Sequence, residues 1–313
     1  MKIVKFKNNK ILLTGGNGFL GKYVKNILLK KGLKERNIII PDSNKFDLRD
    51  RINCQKLTKR IDIVIHLAGN VGGIGKNSSL PGTLLYDNAI MGLELMEAAK
   101  NNHVHKFVCI GTVCSYPKNT PVPFKEESLW NGYPEETNAP YGIAKKILLE
   151  QSQAYRQQFG FNSIYLLPVN LYGPGDNFDP ESSHVIPALI KKLDEAKKTN
   201  NNVIVWGTGK ASREFLYVED AAEAIVMATQ RYNKLDPINI GSNSEIKIKD
   251  LVALIAAKMK YKGKIIWDKT RPDGQIRRKL NIQKAKNEFG FVAKTKLGEG
   301  LTKTINWYIK TFK

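Results

Sequence analysis

Cysteine and long apolar runs are both scarce in this sequence of 313 residues. Its three cysteines, Cys54, Cys109 and Cys114, are too few for a disulfide framework, which is typical of a cytosolic protein. No apolar run approaches the ~20 residues that span a bilayer, so a membrane protein is not expected. The first apolar run ends at Leu13 and leads into a Gly-rich turn rather than a cleavage site, which is not the pattern of a signal peptide. We therefore predict a cytoplasmic protein with no membrane partner.

Acidic residues are also few, since 29 Asp and Glu stand against 50 Lys and Arg, giving a net charge of +21. Such a charge suggests nucleic-acid binding. The lysines, however, are scattered among Asn and Ile, and the sequence contains no stripe of cations interleaved with aromatics, no helix-turn-helix and no cluster of metal ligands. This favours solvated helix surfaces that attract anionic ligands, with neither nucleic acid nor metal as partner. A catalytically silent nucleotide-binding or RNA-binding module is the alternative from another functional class.

What the sequence does contain is an alternation of short apolar runs and helical patterns. The helical patterns cover 19–32, 84–101 and 142–159. Continuous apolar strands that alternate with helices indicate a parallel sheet covered on both faces. We predict an α/β fold with a Rossmann-type, doubly wound parallel sheet that binds ligands where its strands end. The predicted strands are 10–13, 38–40, 61–67, 107–110 and 164–167.

The pattern changes after Tyr172, where a loop-like segment precedes shorter elements. We predict an NAD(P)-binding domain over 1–172 and a smaller C-terminal α/β lobe, mainly over 173–313, that closes over the carboxyl edge of the sheet. The segment 215–231 could return to the main sheet. The elements predicted for the lobe are helices at 185–198, 219–231, 248–259 and 297–311 and strands at 203–206 and 215–218.

A glycine motif, Gly15-x-x-Gly18-x-x-Gly21, lies between the first predicted strand and the first predicted helix. Glycines in that position allow a tight turn and let a pyrophosphate approach the backbone N–H groups of the helix N-terminus. A purely structural turn is the alternative. The position of the motif near the start of a βαβ pattern favours dinucleotide binding.

Asp42 follows the second predicted strand and bears on the choice of cofactor. A carboxylate there accepts hydrogen bonds from an adenosine ribose and repels a 2′-phosphate, which favours NAD over NADP. An ordinary turn aspartate is the alternative, and the nearby Lys45 and Arg49 would soften the repulsion.

Tyr141 and Lys145 are four residues apart, which places both on one face of a predicted helix. The helix start is marked by Thr137 and Asn138 as candidate caps, with a proline in the first turn. An ammonium close to the phenol would lower the pKa of Tyr141 and make it a proton donor or acceptor near neutral pH. Thr112, which follows the fourth predicted strand, could hold a substrate oxygen.

Several blocks of this sequence resemble the extended short-chain dehydrogenase/reductase superfamily and, within it, the GDP-L-fucose synthase family. The resemblance runs from about residue 10 to the C-terminus. The blocks that carry it are Thr14 to Gly21, Val71 to Ile74, Cys114 to Lys118, Tyr141 to Lys145, Asn170 to Pro174, Asp176 to Phe178, Ser183 to Pro187, Arg213 to Phe215 and Pro272 to Gln275.

The resemblance implies an enzyme that inverts C3 and C5 of a GDP-4-keto-6-deoxy-hexose and reduces C4 with a nicotinamide cofactor. It makes Cys114 the base, His184 the acid on the opposite face, and Tyr141 the proton donor, assisted by Lys145 and Thr112. The family usually has Ser where Thr112 stands, and it generally uses NADP(H). An NAD-dependent C4 oxidoreductase or epimerase of a related GDP-hexose or GDP-heptose is the alternative activity.

The resemblance also implies contacts with both ligands. A homodimer formed through two helices of each subunit is the expectation from the fold alone. The predicted cofactor contacts are Gly15, Asn17, Gly18, Phe19, Leu20, Asp42, Ala68, Gly69, Tyr141, Lys145 and Asn170. The predicted contacts of the sugar nucleotide are Val185, Lys192, Trp206, Arg213, Asp273 and Arg278. Structural roles are the alternatives for Cys114 (a small buried filler), His184 (a loop histidine), Trp206 (core) and Arg213 (a surface ion pair).

Overall fold

The computed structural model describes residue 4 and residues 6–271 and 273–312, so Pro272 of the quoted blocks lies outside the described residues. Within that range the strands are β1 (Ile11–Thr14), β2 (Ile38–Ile39), β3 (Ile63–His66), β4 (Lys106–Ile110), β5 (Ser163–Pro168), β6 (Asn170–Tyr172), β7 (Val203–Trp206), β8 (Ser212–Tyr217), β9 (Ile238–Ile240), β10 (Glu245–Lys247), β11 (Ile265–Asp268) and β12 (Arg277–Arg278).

The α-helices alternate with these strands through the first half of the chain. They are α1 (Phe19–Lys30), α2 (Arg51–Thr58), α3 (Ile74–Ser79), α4 (Pro81–Asn101), α5 (Ala139–Phe159), α6 (Val185–Thr199), α7 (Val218–Arg231), α8 (Ile248–Lys258), α9 (Gln283–Phe289) and α10 (Leu297–Phe312).

The main sheet has six parallel strands in the order β2-β1-β3-β4-β5-β9. Its central strands β1, β3 and β4 are buried along their whole length, as expected for a sheet covered on both faces. Because the strands are parallel, their carboxyl ends meet at one edge, and the loops that carry the predicted site residues leave the sheet there. The prediction of a Rossmann-type parallel sheet is confirmed.

The smaller lobe is built from short strands and the later helices. One sheet has the order β10-β8-β12, with β6 also paired to β8, and a second sheet pairs β7 with β11. These strands and helices α6, α8 and α10 share a separate apolar core that includes Ile190, Leu251 and Leu301. Strand β6 begins two residues after the end of β5, so the lobe adjoins the carboxyl edge of the main sheet.

The chain returns to the main sheet before it ends. Helix α7 packs against α1, and β9 forms the edge of the six-stranded sheet beside β5. Further on, Leu280, Ala285 and Phe289 join the core of the main sheet. Among the residues that the structure describes, none of the helices combines the length and the apolar character needed to cross a bilayer.

Candidate functional site

The turn between β1 and α1 is shaped to accept an anion. Gly15 has a φ of 68°, and a Cβ there would lie 2.7 Å from the backbone nitrogen of Ala68. At Gly21, a Cβ would overlap the carbonyl oxygen of Gly15, so the helix and the turn pack backbone to backbone. Helix α1 follows Gly18 with no side-chain cap and no acidic residue in its first turn. Its uncapped N–H groups fit the pyrophosphate of a dinucleotide.

The predicted cofactor contacts occupy this turn and the neighbouring strand ends. Asn17 and Gly18 are exposed in the turn, and the first helical turn contains the half-buried Phe19 and Leu20. Ala68 and Gly69 follow β3, and a Cβ at Gly69 would lie 3.6 Å from the Lys145 amine.

Asn170 and Asp42 lie at other points of the sheet edge. The side-chain amide of Asn170 donates to the carbonyl of Glu214 (2.9 Å), which ties the end of the main sheet to β8. Asp42 lies in an exposed turn after β2, where its Oδ1 accepts from the Asn44 backbone nitrogen (3.0 Å). That bond is the local contact of an ordinary Asx turn.

Thr112, Cys114 and Tyr141 form one cluster at the end of β4. Thr112 caps a short 3₁₀ helix by accepting from the Cys114 backbone nitrogen (3.2 Å), and its hydroxyl also hydrogen-bonds to Tyr141. Gly142 allows the close approach, because a Cβ there would overlap the Cys114 carbonyl oxygen. The Ser115 hydroxyl donates to the Gly142 carbonyl (3.0 Å) and fixes the contact.

The electrostatics of Tyr141 differ from the sequence prediction. Burial raises the pKa of Tyr141, the nearby Cys114 raises it further, and only the hydrogen bond from Thr112 opposes them. The Lys145 amine lies 6.0 Å from the centre of the phenol ring, and burial lowers the pKa of Lys145 as well. The predicted lowering of the Tyr141 pKa by Lys145 is therefore wrong for the protein alone, because desolvation outweighs a charge at that distance.

The Cys114 thiol lies beside a guanidinium group. Nη1 of Arg278 donates to Cys114 Sγ (3.4 Å), while Nε donates to Gln275 (2.7 Å) and Nη2 lies 3.8 Å from Glu135. Arg213 is in register with Arg278 on the neighbouring strand β8. Burial, followed by the charge of Arg278, lowers the pKa of Arg213 to about 10. Two adjacent cations thus face this part of the cleft.

His184 is the residue immediately before α6, and its side chain does not cap that helix. The residue is exposed to solvent, yet the protein around the ring desolvates it enough to lower the pKa of His184. Its segment is held in place by the Gly72–Gly73 loop, since the Gly73 backbone nitrogen donates to the Ser182 carbonyl (3.0 Å). Val185, the first residue of α6, is half-buried.

The other predicted substrate contacts meet at the ends of β7 and β11. Lys192 lies over the Trp206 ring at 5.5 Å, and Arg271 lies over the same ring at 5.0 Å. Trp206 is 49% exposed, so it is available to a ligand rather than part of the core. The Asp273 carboxylate is already engaged by the backbone nitrogen (2.7 Å) and hydroxyl (2.6 Å) of Thr208.

Sequence reasoning missed several residues that organise this cleft. Glu135 and Gln275 orient Arg278, while the fully buried Glu214 accepts from the backbone nitrogens of Ser242, Asn243 and Leu280. Glu135 carried no distinguishing signal, because acidic residues are favoured near the start of a helix. Gln275 stood in a block quoted for the resemblance but was given no role.

Comparison with known proteins identifies a matching family and several similar proteins. Residues 11–241 match the NAD dependent epimerase/dehydratase family. The chain is 38% identical over 308 residues to "Probable GDP-L-fucose synthase 1" of Oryza sativa subsp. japonica, covering 97% of this chain and 93% of the relative.

Two solved structures are similar over nearly their whole length. A GDP-6-OMe-4-keto-L-xylo-heptose reductase from C. jejuni aligns with a TM-score of 0.90 at 26% identity, covering 97% of this chain and 98% of that one. A GDP-L-fucose synthetase from Naegleria fowleri bound to NADP aligns with a TM-score of 0.88 at 27% identity, covering 100% and 97%.

Proposed function

The chain belongs to the NAD dependent epimerase/dehydratase family, and from that premise we propose that it inverts C3 and C5 of a GDP-4-keto-6-deoxy-hexose and reduces its C4 carbonyl. The observation that carries the proposal is the cluster of Thr112, Cys114 and Tyr141 beside Arg278 at the carboxyl edge of the sheet. A dehydrogenase that only moves hydride has no need of a thiol at that position.

Epimerisation uses the acidity of the carbons next to the ketone. The C4 carbonyl stabilises an enolate, so protons at C3 and C5 can be removed by a side chain of moderate basicity. Cys114 is the base in this proposal, and Nη1 of Arg278 donates a hydrogen bond to its sulfur, which fixes the position of the thiol. His184 returns a proton from the opposite face, which inverts the centre.

Reduction uses three other side chains. The nicotinamide, when bound, supplies the hydride to C4. Tyr141 donates a proton to the C4 oxygen, and the Thr112 hydroxyl bonded to it orients both groups. Lys145, whose amine lies 6.0 Å from the centre of the Tyr141 ring and close to Gly69, assists this proton transfer in the proposal.

The cofactor in this proposal is NADP(H). The uncapped N-terminus of α1 would hold the pyrophosphate, and a relative similar over its whole length is described as bound to NADP. Asp42 is exposed and bonded to its own turn, which weakens the argument that it selects NAD. Residues 1–172, together with the part of the chain that returns to the main sheet, would hold the cofactor.

The lobe formed mainly by residues 173–313 would hold the sugar nucleotide. Arg213 suits a diphosphate, because a guanidinium group can bind two phosphate oxygens at once. The exposed Trp206 ring, with Lys192 and Arg271 over it, offers a surface for a base. Val185, half-buried at the start of α6, and Asp273 would complete this site.

We also propose a cytoplasmic homodimer that pairs through α4 and α5. An apolar groove is lined by Leu93 of α4, by Ile143 and Ile147 of α5, and by Trp130 and Tyr133 of the segment before α5, of which Trp130 and Tyr133 are 54% and 62% exposed. Apolar area of this kind is typical of an interface with a second copy. Ile147→Asp should give a monomer in sedimentation analysis, whereas Ile204→Asp on the exposed face of β7 should leave the oligomer unchanged.

The test is incubation of the protein with GDP-4-keto-6-deoxy-mannose and NADPH or NADH in heavy water. The wild type should incorporate deuterium at C3 and C5 and oxidise the nicotinamide. Cys114→Ser should lose deuterium incorporation. A wild type that neither incorporates deuterium nor oxidises the nicotinamide contradicts the proposal.

A second candidate function is C4 reduction of a related GDP-heptose or GDP-hexose without epimerisation. It is favoured by the structural similarity to a GDP-4-keto-heptose reductase over nearly the whole chain. This alternative expects hydride transfer that is indifferent to Cys114→Ser. The same experiment therefore separates the two functions.

A further inference from the structure

A chain of buried polar side chains connects the surroundings of Cys114 with the segment that carries His184. Glu135 lies at its centre and is 6% exposed. Its carboxylate accepts from the backbone nitrogen of Thr137 (3.3 Å), from the Thr137 hydroxyl (2.7 Å) and from the side-chain amide of Asn138. Since a buried carboxylate is costly without such partners, its position is closely defined.

On the thiol side, Glu135 acts through Arg278. The guanidinium presents its three nitrogens to three partners: Gln275 at 2.7 Å, Cys114 Sγ at 3.4 Å and Glu135 at 3.8 Å. A guanidinium is planar with its donors in a fixed fork, so holding two corners sets the direction of the third. Glu135 and Gln275 therefore aim one nitrogen of Arg278 at the sulfur.

On the imidazole side, Glu135 acts through two asparagines. Asn138 bonds to Glu135 with its amide nitrogen, while its oxygen accepts from the Asn77 amide (3.1 Å), which also donates to the Gly72 carbonyl (3.3 Å). The next residue, Gly73, donates to the Ser182 carbonyl (3.0 Å), and a Cβ on Gly73 would overlap the Ser183 carbonyl oxygen. His184 follows directly in the chain.

We propose that Glu135 is a positioning residue that sets the place of Cys114 and His184 relative to each other. The inference rests on the proposed function, in which the two groups act on opposite faces of the same sugar carbons. Asn138 lies directly before the helix that carries Tyr141 and Lys145, but the interactions described for the side chains of Tyr141 and Lys145 involve neither Glu135 nor Asn138. The loss of Glu135 should therefore affect proton transfer at carbon far more than reduction.

The test compares two half-reactions in Glu135→Gln, which keeps the shape of the side chain and removes its charge. One assay follows solvent deuterium entering GDP-4-keto-6-deoxy-mannose, and the other follows oxidation of GDP-L-fucose by NADP⁺, a hydride step that breaks no C3 or C5 bond. Exchange should fall at least about 10-fold in kcat, since small misplacements of reacting groups have effects of that size or larger. The KM for the nucleotide sugar and the rate of hydride transfer should stay close to wild type.

The matched control is Glu136→Gln, because the adjacent Glu136 is exposed and pairs with Lys118 (2.9 Å) outside the buried chain. It should behave as the wild type in both assays. Equal losses in the two half-reactions of Glu135→Gln, accompanied by a lower Tm, would indicate a merely structural role and overturn the inference.

A second variant, Asn77→Ala, touches neither Cys114 nor His184 and keeps the inference testable if Glu135→Gln folds poorly. It should show the same selective loss of exchange, to a smaller degree. The double variant should lose no more exchange than Glu135→Gln alone, because both changes interrupt one connection. Additive losses of deuterium exchange in the double variant overturn the inference. A wild type that neither exchanges deuterium nor transfers hydride contradicts the proposed function, and the inference fails with it.

Discussion

The two halves of the cleft are built in different ways. The half proposed to bind the cofactor, here the cofactor half, uses backbone from one short stretch, the turn at Gly15 to Gly21, where missing Cβ atoms create the space. The half proposed to bind the sugar nucleotide, here the substrate half, uses charged and polar side chains from distant segments, such as Cys114 and Arg278, which are 164 residues apart. A site made of backbone depends on local sterics, whereas a site made of side chains depends on the packing of separate elements. The two should therefore respond differently to mutation, to pH and to cofactor changes.

Substitution of Tyr141, which lies between the two halves, should have the largest effect, because it should stop C4 reduction and leave deuterium exchange in place. Tyr141→Phe removes the proposed proton donor, so the kcat of C4 reduction should fall by about 10²–10⁴-fold. Deuterium exchange at C3 and C5 should persist, because Cys114 and His184 remain. Stopped-flow nicotinamide absorbance and mass spectrometry measure the two steps. The control Tyr133→Phe keeps the apolar ring that Tyr133 contributes to the proposed dimer interface and should leave both steps intact. Loss of exchange in Tyr141→Phe would contradict the separation.

In the cofactor half, Gly21→Ala should be the most damaging small change. Its Cβ would overlap backbone at Gly15 and lie 2.5 Å from the Gly16 Cα, neither of which can move without opening the turn. We expect a loss of about 3 kcal/mol in the free energy of unfolding, by overpacking, together with weaker NADPH binding. Urea denaturation and fluorescence titration measure both. Gly82→Ala, which meets nothing within 4 Å in helix α4, should be neutral or stabilising; similar losses in both variants would show that sterics at the turn are not the cause.

His66 should make the cofactor half sensitive to acid. It is 1% exposed beneath the glycine turn, with Nδ1 at 2.9 Å from the Thr14 hydroxyl, and burial lowers its pKa to about 3. The pKa of a histidine in the unfolded chain is about 6.5. Between pH 6.5 and 3 the unfolded chain therefore binds more protons than the folded one, so the contribution of His66 to stability is full above about pH 6.5 and falls as the pH drops towards 3. The contribution between pH 6.5 and 5 is about 2 kcal/mol at most.

Urea denaturation of His66→Asn at several pH values tests this prediction. Asn keeps an acceptor near the position of Nδ1 and cannot be protonated, so the variant should show a weaker decline in stability over the same pH range. His105→Gln is the matched control, because His105 is exposed and lies 3.7 Å from Asp62. A decline in His66→Asn as steep as in the wild type would rule out His66 as its source.

Asp42 should give the smallest effect, although it is the residue that the sequence analysis used to choose a cofactor. Its carboxylate is exposed, and a charge there changes binding of a 2′-phosphate by about 1 kcal/mol or less. Asp42→Ser should therefore raise the affinity for NADPH relative to NADH by no more than about fivefold. Isothermal titration with both cofactors measures the ratio. A change of 100-fold would mean that Asp42 reaches the ribose after all.

Much of the architecture could be predicted because its signals are local. The apolar runs placed β1, β3, β4 and β5 close to their observed bounds, and helical spacing placed α1 and α6 within a few residues. Short elements such as α9 and β12 gave no periodic signal and were missed, since few residues cannot establish a period. Asn138 was expected to cap α5 and does occupy the position before it, but its side chain bonds to Glu135 and Asn77 instead.

The sequence by itself determined the parallel sheet, the glycine turn and the spacing of Tyr141 and Lys145, because each depends on residues that are neighbours along the chain. Only the tertiary structure decided that Arg278 meets Cys114, that Glu135 stands behind it, and that burial raises the pKa of Tyr141. Desolvation and contacts between distant segments arise from packing in three dimensions, and the order of residues does not show which side chains will share a buried space.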